Sequence, residues 1–504
     1  MRIVTPTQMK QIEQRGAELG ISTLRMMENA GSAAATFLRK KFDVAGRKCV
    51  ILCGKGGNGG DGFVIARKLF GWNCDVTVVM TDGLPKISDS QHMFDGISSL
   101  DIPILHYNEN PEQIKQLIQE SDIVVDAVYG ISFRGELDEL HRDIFTAVNS
   151  CTAAVAALDV PSGVNALTAD FDPNCIKADF TIVFDSFKPV HLFSSDLPLL
   201  GELYLTDIGI PEAAHDGFDS PFVHCDNDIL LHYLEPKPLN SYKGSNGKLL
   251  NIAGSLGMAG AAVMSTDAAL KSGAGYVTLA IPHELYPHIT PHLVSPVCLL
   301  LSDENRLDAI NKAAAKADAV AIGCGLANDS NTAAMVLNLT EHCPVPMVID
   351  ASGINALAAD INIIKKAAAT RILTPHLGEF SRLCSKSISE IKKDRISIAK
   401  NFAEENGVIL VLKGANTIVA SPDGMIYVNQ SGCPGLAKAG SGDVLTGIIA
   451  SFAAQGIPAF AAAVCGVYIH GLSAQLCSKR LSEYGMQPIE MLEDMRIFLA
   501  QNNR

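Results

Sequence analysis

Residues 48–62 read KCVILCGKGGNGGDG, and this stretch decides the fold of the first part of the chain. Its first six residues form a short apolar run, which is typical of a buried strand in a parallel sheet. Six of the ten residues 53–62 are glycine, and a helical pattern follows at 62–70. A strand that passes through a glycine-rich loop into a helix begins a βαβ unit, and the apolar run 75–80 supplies its second strand.

The same alternation continues on both sides of this stretch. Further apolar runs lie at 123–128, 153–158 and 180–184. Helical patterns lie at 7–42, 88–100, 111–120 and 137–148. Alternating strands and helices predict right-handed crossovers and a doubly wound, mostly parallel sheet with helices on both faces. We assign this first α/β domain to residues 1–211.

A second α/β domain follows a polar segment. Residues 212–226 show little apolar periodicity and are predicted to be a linker. Apolar runs follow at 248–253, 276–281, 317–323, 346–350 and 408–413. Helical patterns lie at 261–271, 310–316, 387–405 and after 442. Because no internal repeat relates the two halves, the sequence predicts two different α/β domains, the second spanning residues 227–504.

The composition favours a globular protein with small-molecule ligands. The chain has 504 residues, of which 48% are hydrophobic, so it can bury sizeable cores. A net charge of −14 argues against binding to nucleic acid, which requires a basic surface. The 13 cysteines are scattered without a CxxC pair, and the first residues lack the apolar core of a secretory signal. Both features favour reduced thiols and a cytoplasmic location.

One uncharged segment has the length of a membrane span. Residues 444–478 contain no Asp, Glu, Lys or Arg over 35 positions. Glycines interrupt the segment, and Gln455-Gly-Ile-Pro458 indicates a turn. We therefore predict two buried helices joined by a turn, and no membrane association.

The first half carries polar residues where ligands bind to open parallel sheets. The glycine-rich loop lets the backbone approach a phosphate closely, although a tight turn alone is the alternative. Asp126 and Asp159 each end an apolar run. Asn58, Asp126 and Ser162 offer oxygen ligands to a cation, whereas Asp159 and Lys188 could exchange protons. Either aspartate alone could be a simple helix cap, so the whole set carries the prediction.

The second half carries its strongest motif at Lys438-Ala-Gly-Ser-Gly-Asp-Val-Leu-Thr-Gly447. A glycine turn that opens a helix presents N–H donors to anionic oxygens. The helix dipole favours an ionised Asp443, which suits a base that takes a proton from a hydroxyl group. The alternative is an aspartate that only neutralises the helix N-terminus. The segments 374–379 and 412–417 add His376 and a Lys413-Gly turn at strand ends.

Three histidines are a false lead. His283, His288 and His292 lie in PHELYPHITPH, where the regularly placed prolines indicate a loop. No HExxH pattern is present, so we expect no zinc site there.

Four segments of the first half resemble a known family. GKGGNGGDG at 54–62, VDAVYGISFRG at 125–135, LDVPSGV at 158–164 and FKP at 187–189 are similar to the epimerase domain of the bifunctional NAD(P)H-hydrate repair enzymes. The loop departs from the family's GKGNNGGDG at Gly57, which replaces an asparagine. The resemblance implies a Rossmann-like fold and a potassium site at Asn58, Asp126 and Ser162. The substrate contacts that it implies are Gly57, Asn58, Gly59, Gly60, Asp61, Gly130, Ile131, Ser132, Phe133, Arg134, Gly135, Glu136 and Asp159.

The second half resembles the dehydratase part of the same enzymes, which has a ribokinase-like fold. The matching segments are 246–261, TPHLGE at 374–379, LKGANT at 412–417 and AGSGDVLTG at 439–447. The implied substrate contacts are Ala261, Gly325, His376 and Asp443. The implied nucleotide contacts are Lys413, Gly414, Ala415, Asn416, Thr417 and Gly442. One departure is Cys324, which replaces the family's usual proline beside Gly325.

The resemblance implies repair of hydrated NADH and NADPH, called NADHX and NADPHX. The first domain would interconvert their R and S epimers, and the second would dehydrate the S epimer with Mg²⁺ and with ADP or ATP as the phosphate donor. ADP would give AMP and phosphate. Asp443, Asp159 and Lys188 would be the catalytic residues. A homo-oligomer is also expected. The alternative is a ribokinase-like hydroxyl kinase with a non-catalytic N-terminal binding domain.

Overall fold

The computed structural model describes residues 2–302 and 306–502. The chain forms two compact units, Met1–Ser220 and Pro221–Arg504. The division falls inside the segment predicted to be a linker. That segment is structured, because it holds the 3₁₀ helix Glu212–Ala214 and the short strand Phe222–Val223, which joins the sheet of the second unit.

The first unit is built on a seven-stranded sheet in which every strand pairing is parallel. Its strands are β1 (Lys48–Cys53), β2 (Asp75–Met80), β3 (Ile104–His106), β4 (Ile123–Ala127), β5 (Ala154–Leu158), β6 (Phe180–Phe184) and β7 (Glu202–Thr206). The spatial order is β3-β2-β1-β4-β5-β6-β7. The order reverses between β1 and β4, which is where doubly wound sheets bind their ligands.

Helices cover both faces of this sheet. They are α1 (Pro6–Glu18), α2 (Thr23–Phe42), α3 (Gly57–Gly71), α4 (Ser88–Ser98), α5 (Pro111–Gln119) and α6 (Glu139–Asn149). Successive residues of β1 show the two-sided burial, since Ile51 belongs to one hydrophobic cluster and Leu52 to another. Side chains alternate across a strand, so the continuous apolar run at 48–53 serves two cores.

The second unit is built on a ten-stranded sheet. Its strands are β8 (Phe222–Val223), β9 (Lys248–Ile252), β10 (Tyr276–Pro282), β11 (Val297–Leu301), β12 (Ala319–Ile322), β13 (Met347–Ile349), β14 (Arg371–Leu373), β15 (Ile409–Leu412), β16 (Ile418–Ala420) and β17 (Ile426–Val428). The order is β11-β10-β9-β12-β13-β14-β15-β16-β17-β8. The pairings β15–β16 and β16–β17 are antiparallel, and the others are parallel. The order reverses between β9 and β12.

The helices of the second unit include the uncharged pair. They are α7 (Asn227–Tyr233), α8 (Ala259–Lys271), α9 (Tyr286–Ile289), α10 (Arg306–Ala314), α11 (Ser330–His342), α12 (Ala351–Leu357), α13 (Leu377–Cys384), α14 (Ile388–Lys393), α15 (Arg395–Asn406), α16 (Ser441–Ala454), α17 (Ala459–Gly485) and α18 (Met491–Asn502). Within the described residues, α17 alone is long and apolar enough to cross a membrane, and 72% of its apolar window is buried in the protein. Both uncharged helices contribute to the core of this unit.

Candidate functional sites

The glycine-rich loop after β1 is the first turn of α3. The helix begins at Gly57 rather than at residue 62, so Asn58 lies on its first turn and Asp61 follows directly after that turn. A Cβ atom on Gly59 would lie 1.9 Å from the carbonyl oxygen of Gly54, so only glycine fits there. A Cβ on Gly57 would meet nothing within 4 Å, so packing does not require a glycine at the position where the chain departs from the family pattern.

Asn58, Asp126 and Ser162 meet around the backbone of Tyr129. The Asn58 side-chain amide donates to the Tyr129 carbonyl oxygen at 3.0 Å, and the Ser162 hydroxyl oxygen accepts the Tyr129 N–H at 2.8 Å. The same hydroxyl donates to the Asp126 carboxylate at 2.6 Å. The three residues predicted to bind a cation therefore converge at the carboxyl edge of the sheet, from the start of α3, the end of β4 and the loop after β5.

Asp126 is buried, and its carboxylate is held by hydrogen bonds. Burial raises the pKa of Asp126 to about 6, while hydrogen bonds from Ser162 and from the Val128 N–H act in the opposite direction. No basic side chain neutralises this carboxylate within the described residues. A bound cation would supply the missing positive charge.

Asp159 and Lys188 form a buried ion pair at the end of β5. The Lys188 ammonium donates to the Asp159 carboxylate at 2.5 Å and to the Phe184 carbonyl at 2.9 Å, and the lysine is fully buried. Asp159 has a φ of 61°, a left-handed conformation that non-glycine residues adopt mostly under constraint.

His191, which the sequence analysis did not identify, holds this pair in place. Its Nδ1 accepts the Lys188 N–H at 2.9 Å, so its Nε2 donates to the Asp159 carbonyl at 2.8 Å. Burial, aided by the Lys188 charge, lowers the pKa of His191 to about 3. The neutral ring is therefore a fixed positioning group, which binds both ends of the ion pair through the backbone.

A cavity of about 880 Å³ joins most of the first-half residues. The predicted substrate contacts that line it are Gly57, Asn58, Asp61, Gly130, Ile131, Ser132, Phe133, Arg134, Glu136 and Asp159. Lys188 also lines the cavity, but Gly59, Gly60 and Gly135 do not. A Cβ on Gly60 would lie 2.4 Å from the sulfur of Met27, but that atom ends a flexible side chain, so packing restricts Gly60 less strictly than Gly59.

The cavity contains a carboxyl group that the sequence analysis missed. Glu13, on α1, lines the wall together with Asp61 and Asp159. Burial raises the pKa of Glu13 to about 7, and Lys188 opposes the effect. Burial also raises the pKa of Asp61 far above its usual range, with the charges of Asp159 and Glu13 adding to the effect. Glu13 gave no motif, because it lies in an amphipathic helix far from the strand ends.

The second site begins at the N-terminus of α16. Gly440 precedes the helix with a φ of 98°, and Asp443 is its third residue. A Cβ on Gly442 would lie 3.2 Å from the Lys413 ammonium nitrogen and 3.7 Å from the Asp350 carboxylate. The helix start therefore approaches both charged side chains closely.

Asp350, at the end of β13, is the central acceptor of this site, and the sequence analysis missed it. Its carboxylate accepts from the Lys413 ammonium at 2.7 Å and from the Thr374 hydroxyl at 2.8 Å. Burial disfavours the charged ammonium, but Asp350 outweighs burial and raises the pKa of Lys413. The apolar run 346–350 ends in an aspartate, so the rule applied to Asp126 and Asp159 would have identified it.

The surroundings of Asp443 oppose its negative charge, which the helix dipole alone does not predict. Burial raises the pKa of Asp443 to about 6, and the nearby Asp350 carboxylate adds to this, whereas the Cys324 thiol and Lys413 oppose it. The helix dipole favours the ionised form of Asp443, whereas burial and Asp350 act against it. At neutral pH the group is still mostly ionised and has a basicity suited to accepting a proton.

Cys324 contributes a thiol to the same cluster. Ligand atoms of Cys324, Asp350 and Asp443 lie within 4.8 Å of one another. Burial, together with the two carboxylates, raises the pKa of the Cys324 thiol, so it remains protonated. The two carboxylates offer the oxygen ligands that Mg²⁺ prefers, whereas a thiol is a poor ligand for this ion.

The remaining predicted residues lie around this cluster. A Cβ on Gly325 would lie 2.7 Å from the Cβ of Ala261, so the loop after β12 touches the first turn of α8 at these two residues. His376 caps α13, with its Nδ1 accepting the Gly378 N–H at 3.0 Å, and it pairs through the backbone with Lys413. Its side chain is 57% exposed, and its Nε2 lies 3.4 Å from the Glu379 carboxylate.

The predicted nucleotide segment is the turn between β15 and β16. The Asn416 amide donates to the Asn429 carbonyl at 2.8 Å, and the Thr417 hydroxyl donates to the Gly414 carbonyl at 3.0 Å. These two side chains shape the turn. The exposed backbone of Gly414 and Ala415 remains available to a ligand.

His283, His288 and His292, at which the sequence predicts no zinc site, are exposed. Among the described residues, the only cluster that could hold a metal through histidine, cysteine or carboxylate ligands is the one at Asp443.

Comparison with known proteins identifies both units. The family described as YjeF-related protein N-terminus matches residues 23–190, and the family described as NAD(P)H-hydrate dehydratase matches residues 249–496. The chain is 34% identical to the bifunctional NAD(P)H-hydrate repair enzyme Nnr of Moorella thermoacetica, over 98% of this chain and 96% of that protein. It is 32% identical to the Escherichia coli K12 enzyme of the same name, over 95% and 90%.

A solved structure agrees with the fold of the second part. A ribokinase-like superfamily protein from Enterococcus faecalis V583 aligns with a TM-score of 0.51 and 25% identity, over 56% of this chain and 97% of that one. Taken with the full-length relatives and the two matched families, this places the chain in the family of bifunctional NAD(P)H-hydrate repair enzymes.

Proposed function

We propose that this protein repairs hydrated nicotinamide cofactors by epimerisation in the first unit and nucleotide-dependent dehydration in the second. The observation that carries the proposal is the placement of Asp443 at a glycine-lined helix N-terminus, beside the Lys413–Asp350 ion pair. A base, a cation and free backbone N–H groups at one point suit phosphoryl transfer to a substrate hydroxyl.

In the dehydration step, Asp443 takes the proton of the C6 hydroxyl of S-NAD(P)HX. The hydroxyl oxygen then attacks the terminal phosphate of the nucleotide. When ADP is the donor, AMP is the leaving group. The C6–O bond of the phosphate ester breaks with its electron pair on phosphate, while the ring nitrogen lone pair forms a C6–N1 double bond. Loss of the proton at C5 restores the dihydronicotinamide ring.

The residues around Asp443 orient the donor. The N–H groups at the start of α16 and the Lys413 ammonium face the position of the transferred phosphate, and Gly442 permits this approach because it has no side chain. Asp350 and Asp443 would hold Mg²⁺ through their carboxylates. When bound, Mg²⁺ neutralises the negative charge that develops on the phosphate oxygens. Gly414 and Ala415 offer backbone contacts to the rest of ADP or ATP.

In the first unit, Asn58, Asp126 and Ser162 would bind K⁺ together with the Tyr129 carbonyl. One carboxylate and several neutral oxygens suit a large, weakly hydrated ion better than a small divalent one. Binding requires the Asn58 amide to turn its oxygen towards the ion. Titration of the metal-free enzyme with KCl or NaCl should raise epimerase activity with K⁺ alone, and equal activity in both salts contradicts this site.

In the epimerase cavity, Asp159 is positioned to exchange a proton with the water or hydroxyl group at C6. Lys188 keeps the carboxylate in position through their buried ion pair. Both faces of the substrate at C6 must become reachable for R and S to interconvert, so a single base is not sufficient for inversion.

The decisive experiment incubates the protein with mixed NADHX epimers and either ADP or ATP. We expect the absorbance of NADH to recover fully, with one inorganic phosphate released per NADH. A hydroxyl kinase with a non-catalytic first unit would instead yield a stable phosphate ester and leave the R epimer unchanged. Comparison of ADP with ATP identifies the donor.

The location and assembly of the protein belong to the same proposal. All thirteen cysteines are free thiols in the described chain, which supports a reducing, cytoplasmic environment. A homo-oligomer stays a prediction, and light scattering of the purified protein tests it.

A further inference from the structure

The proposed epimerase chemistry leaves one carboxyl group of the cavity without a role. Glu13 lies on α1 and lines the same cavity as Asp159, which comes from the end of β5. The two groups therefore reach the substrate space from different elements. In the described residues the Glu13 carboxyl makes no hydrogen bond or ion pair. It is therefore available to contact a ligand in the cavity.

The electrostatic settings of the two carboxyl groups are opposite. Asp159 accepts a charged hydrogen bond from the buried Lys188 ammonium at 2.5 Å, so its carboxylate has a cationic partner. Glu13 has no such partner, and burial raises its pKa to about 7. The charged groups that face Glu13 are Lys188, Asp159, Asp185, Lys10 and Asp61.

We propose that Glu13 is the second proton-transfer residue of the epimerase and acts on the C6 hydroxyl opposite to Asp159. This inference rests on the proposed epimerase function. Two carboxyl groups that line one cavity, one of them paired with a cation and the other without a partner, are suited to act together as base and acid.

Inversion in one direction begins with the loss of water from C6. Glu13 gives its proton to the C6 hydroxyl, the C6–O bond breaks with its electrons on oxygen, and water departs. The ring nitrogen lone pair forms the C6–N1 double bond. A water molecule adds to the other face of C6 and gives a proton to Asp159. The proton moved from Glu13 to Asp159 returns through solvent, and the reverse inversion exchanges the two roles.

Asp61 is a poorer candidate for this role. It also lines the cavity, but burial together with Asp159 and Glu13 raises the pKa of Asp61 far above its usual range. A carboxyl group whose surroundings oppose its charge this strongly is less suited than Glu13 to give up a proton and take it back. Glu13 titrates near neutral pH, where proton transfer in both directions is efficient.

The test compares E13Q, E13D and E18Q in the full-length enzyme. E18Q makes the same chemical change on the exposed end of the same helix, away from the cavity, and serves as the control. We expect E13Q to lower the epimerase kcat about 10²–10⁴-fold with little change in KM. E13D should recover part of this loss, and E18Q should match the unmodified enzyme.

Two further readouts separate proton transfer from a structural role. In the unmodified enzyme, the direction of inversion in which Glu13 is the acid should lose activity as the pH rises through 7, and E13Q should lack this dependence. In H₂¹⁸O, each enzymatic inversion should place one solvent oxygen on C6. Unchanged kcat and an unchanged pH profile in E13Q would overturn the proposal, as would retention of the original oxygen. If the unmodified enzyme does not epimerise at all, the proposed function fails instead.

Discussion

Replacement of Asp443 by asparagine separates the chemistry of the second unit from its stability. Asparagine keeps the size of the side chain and can still hydrogen-bond, but it cannot accept the hydroxyl proton. Loss of a general base typically lowers a rate about 10²–10⁴-fold, which corresponds to roughly 3–5 kcal/mol of transition-state stabilisation. We expect this loss in dehydration of S-NADHX, while the nucleotide still binds through Lys413 and the start of α16.

The same substitution should not destabilise the protein. Burial and the Asp350 carboxylate raise the pKa of Asp443 from 3.8 to about 6. The unfolded chain therefore ionises this group more easily, and the resulting cost to folding is present above pH 6 and vanishes below 3.8. The cost is on the order of 3 kcal/mol at most. The neutral asparagine avoids it, so the free energy of unfolding should stay equal or rise at pH 8.

The assay follows NADH absorbance with pure S epimer and saturating nucleotide between pH 5 and 8. The unmodified enzyme should lose dehydratase activity as the pH falls through about 6, because Asp443 becomes protonated. D308N, an equal change on the exposed surface of α10, is the control. A D443N protein with nearly normal activity would mean that another group is the base, and the structure would then explain the fold of the second unit but not its mechanism.

Three other predictions concern the first unit and the division of the chain. D159N should stop enzymatic interconversion of R- and S-NADHX, as followed by chromatography, while the S epimer is still repaired at the normal rate. G59A should lower the melting temperature of the first unit in calorimetry, because the added Cβ would lie 1.9 Å from the Gly54 carbonyl oxygen. Fragments 1–220 and 221–504 should each fold, with the first epimerising without nucleotide and the second dehydrating only the S epimer; failure of either to fold contradicts independent units.

The long apolar runs made the central strands predictable from sequence. The predicted runs 48–53, 75–80 and 180–184 coincide with β1, β2 and β6. The strands that escaped notice are short, such as β3 and β14 with three residues each, or lie towards the sheet edge with partly exposed side chains, such as β7. Their stability comes from pairing with a neighbouring strand, which local sequence does not record.

The residues of the candidate sites also divide into those that the sequence could identify and those that it could not. Residues in glycine-rich loops or at strand ends, such as Asn58, Asp159 and Asp443, were identifiable because their positions follow from the chain order of a parallel sheet. Glu13 and His191 lie in helical segments, and only the packing of those segments against the sheet brings them to Asp159. The upward shift of the Asp443 pKa could not be predicted from the sequence either, since it depends on burial and on Asp350.

Asp159 and Asp443, the two aspartates proposed to be catalytic, should respond oppositely to the same substitution, because the charges around them differ. Asp159 has its own buried cation, so D159N leaves the Lys188 ammonium buried without a counter-charge, which typically costs about 3–5 kcal/mol. Asp443 shares its surroundings with another carboxylate, and the nearby Lys413 is already paired with Asp350. Removing the charge of Asp443 therefore relieves repulsion. We expect calorimetry to show a lower unfolding temperature for D159N and an equal or higher one for D443N, although both lose one activity. Two downward shifts of equal size would mean that neither carboxylate experiences the charges that the structure places beside it.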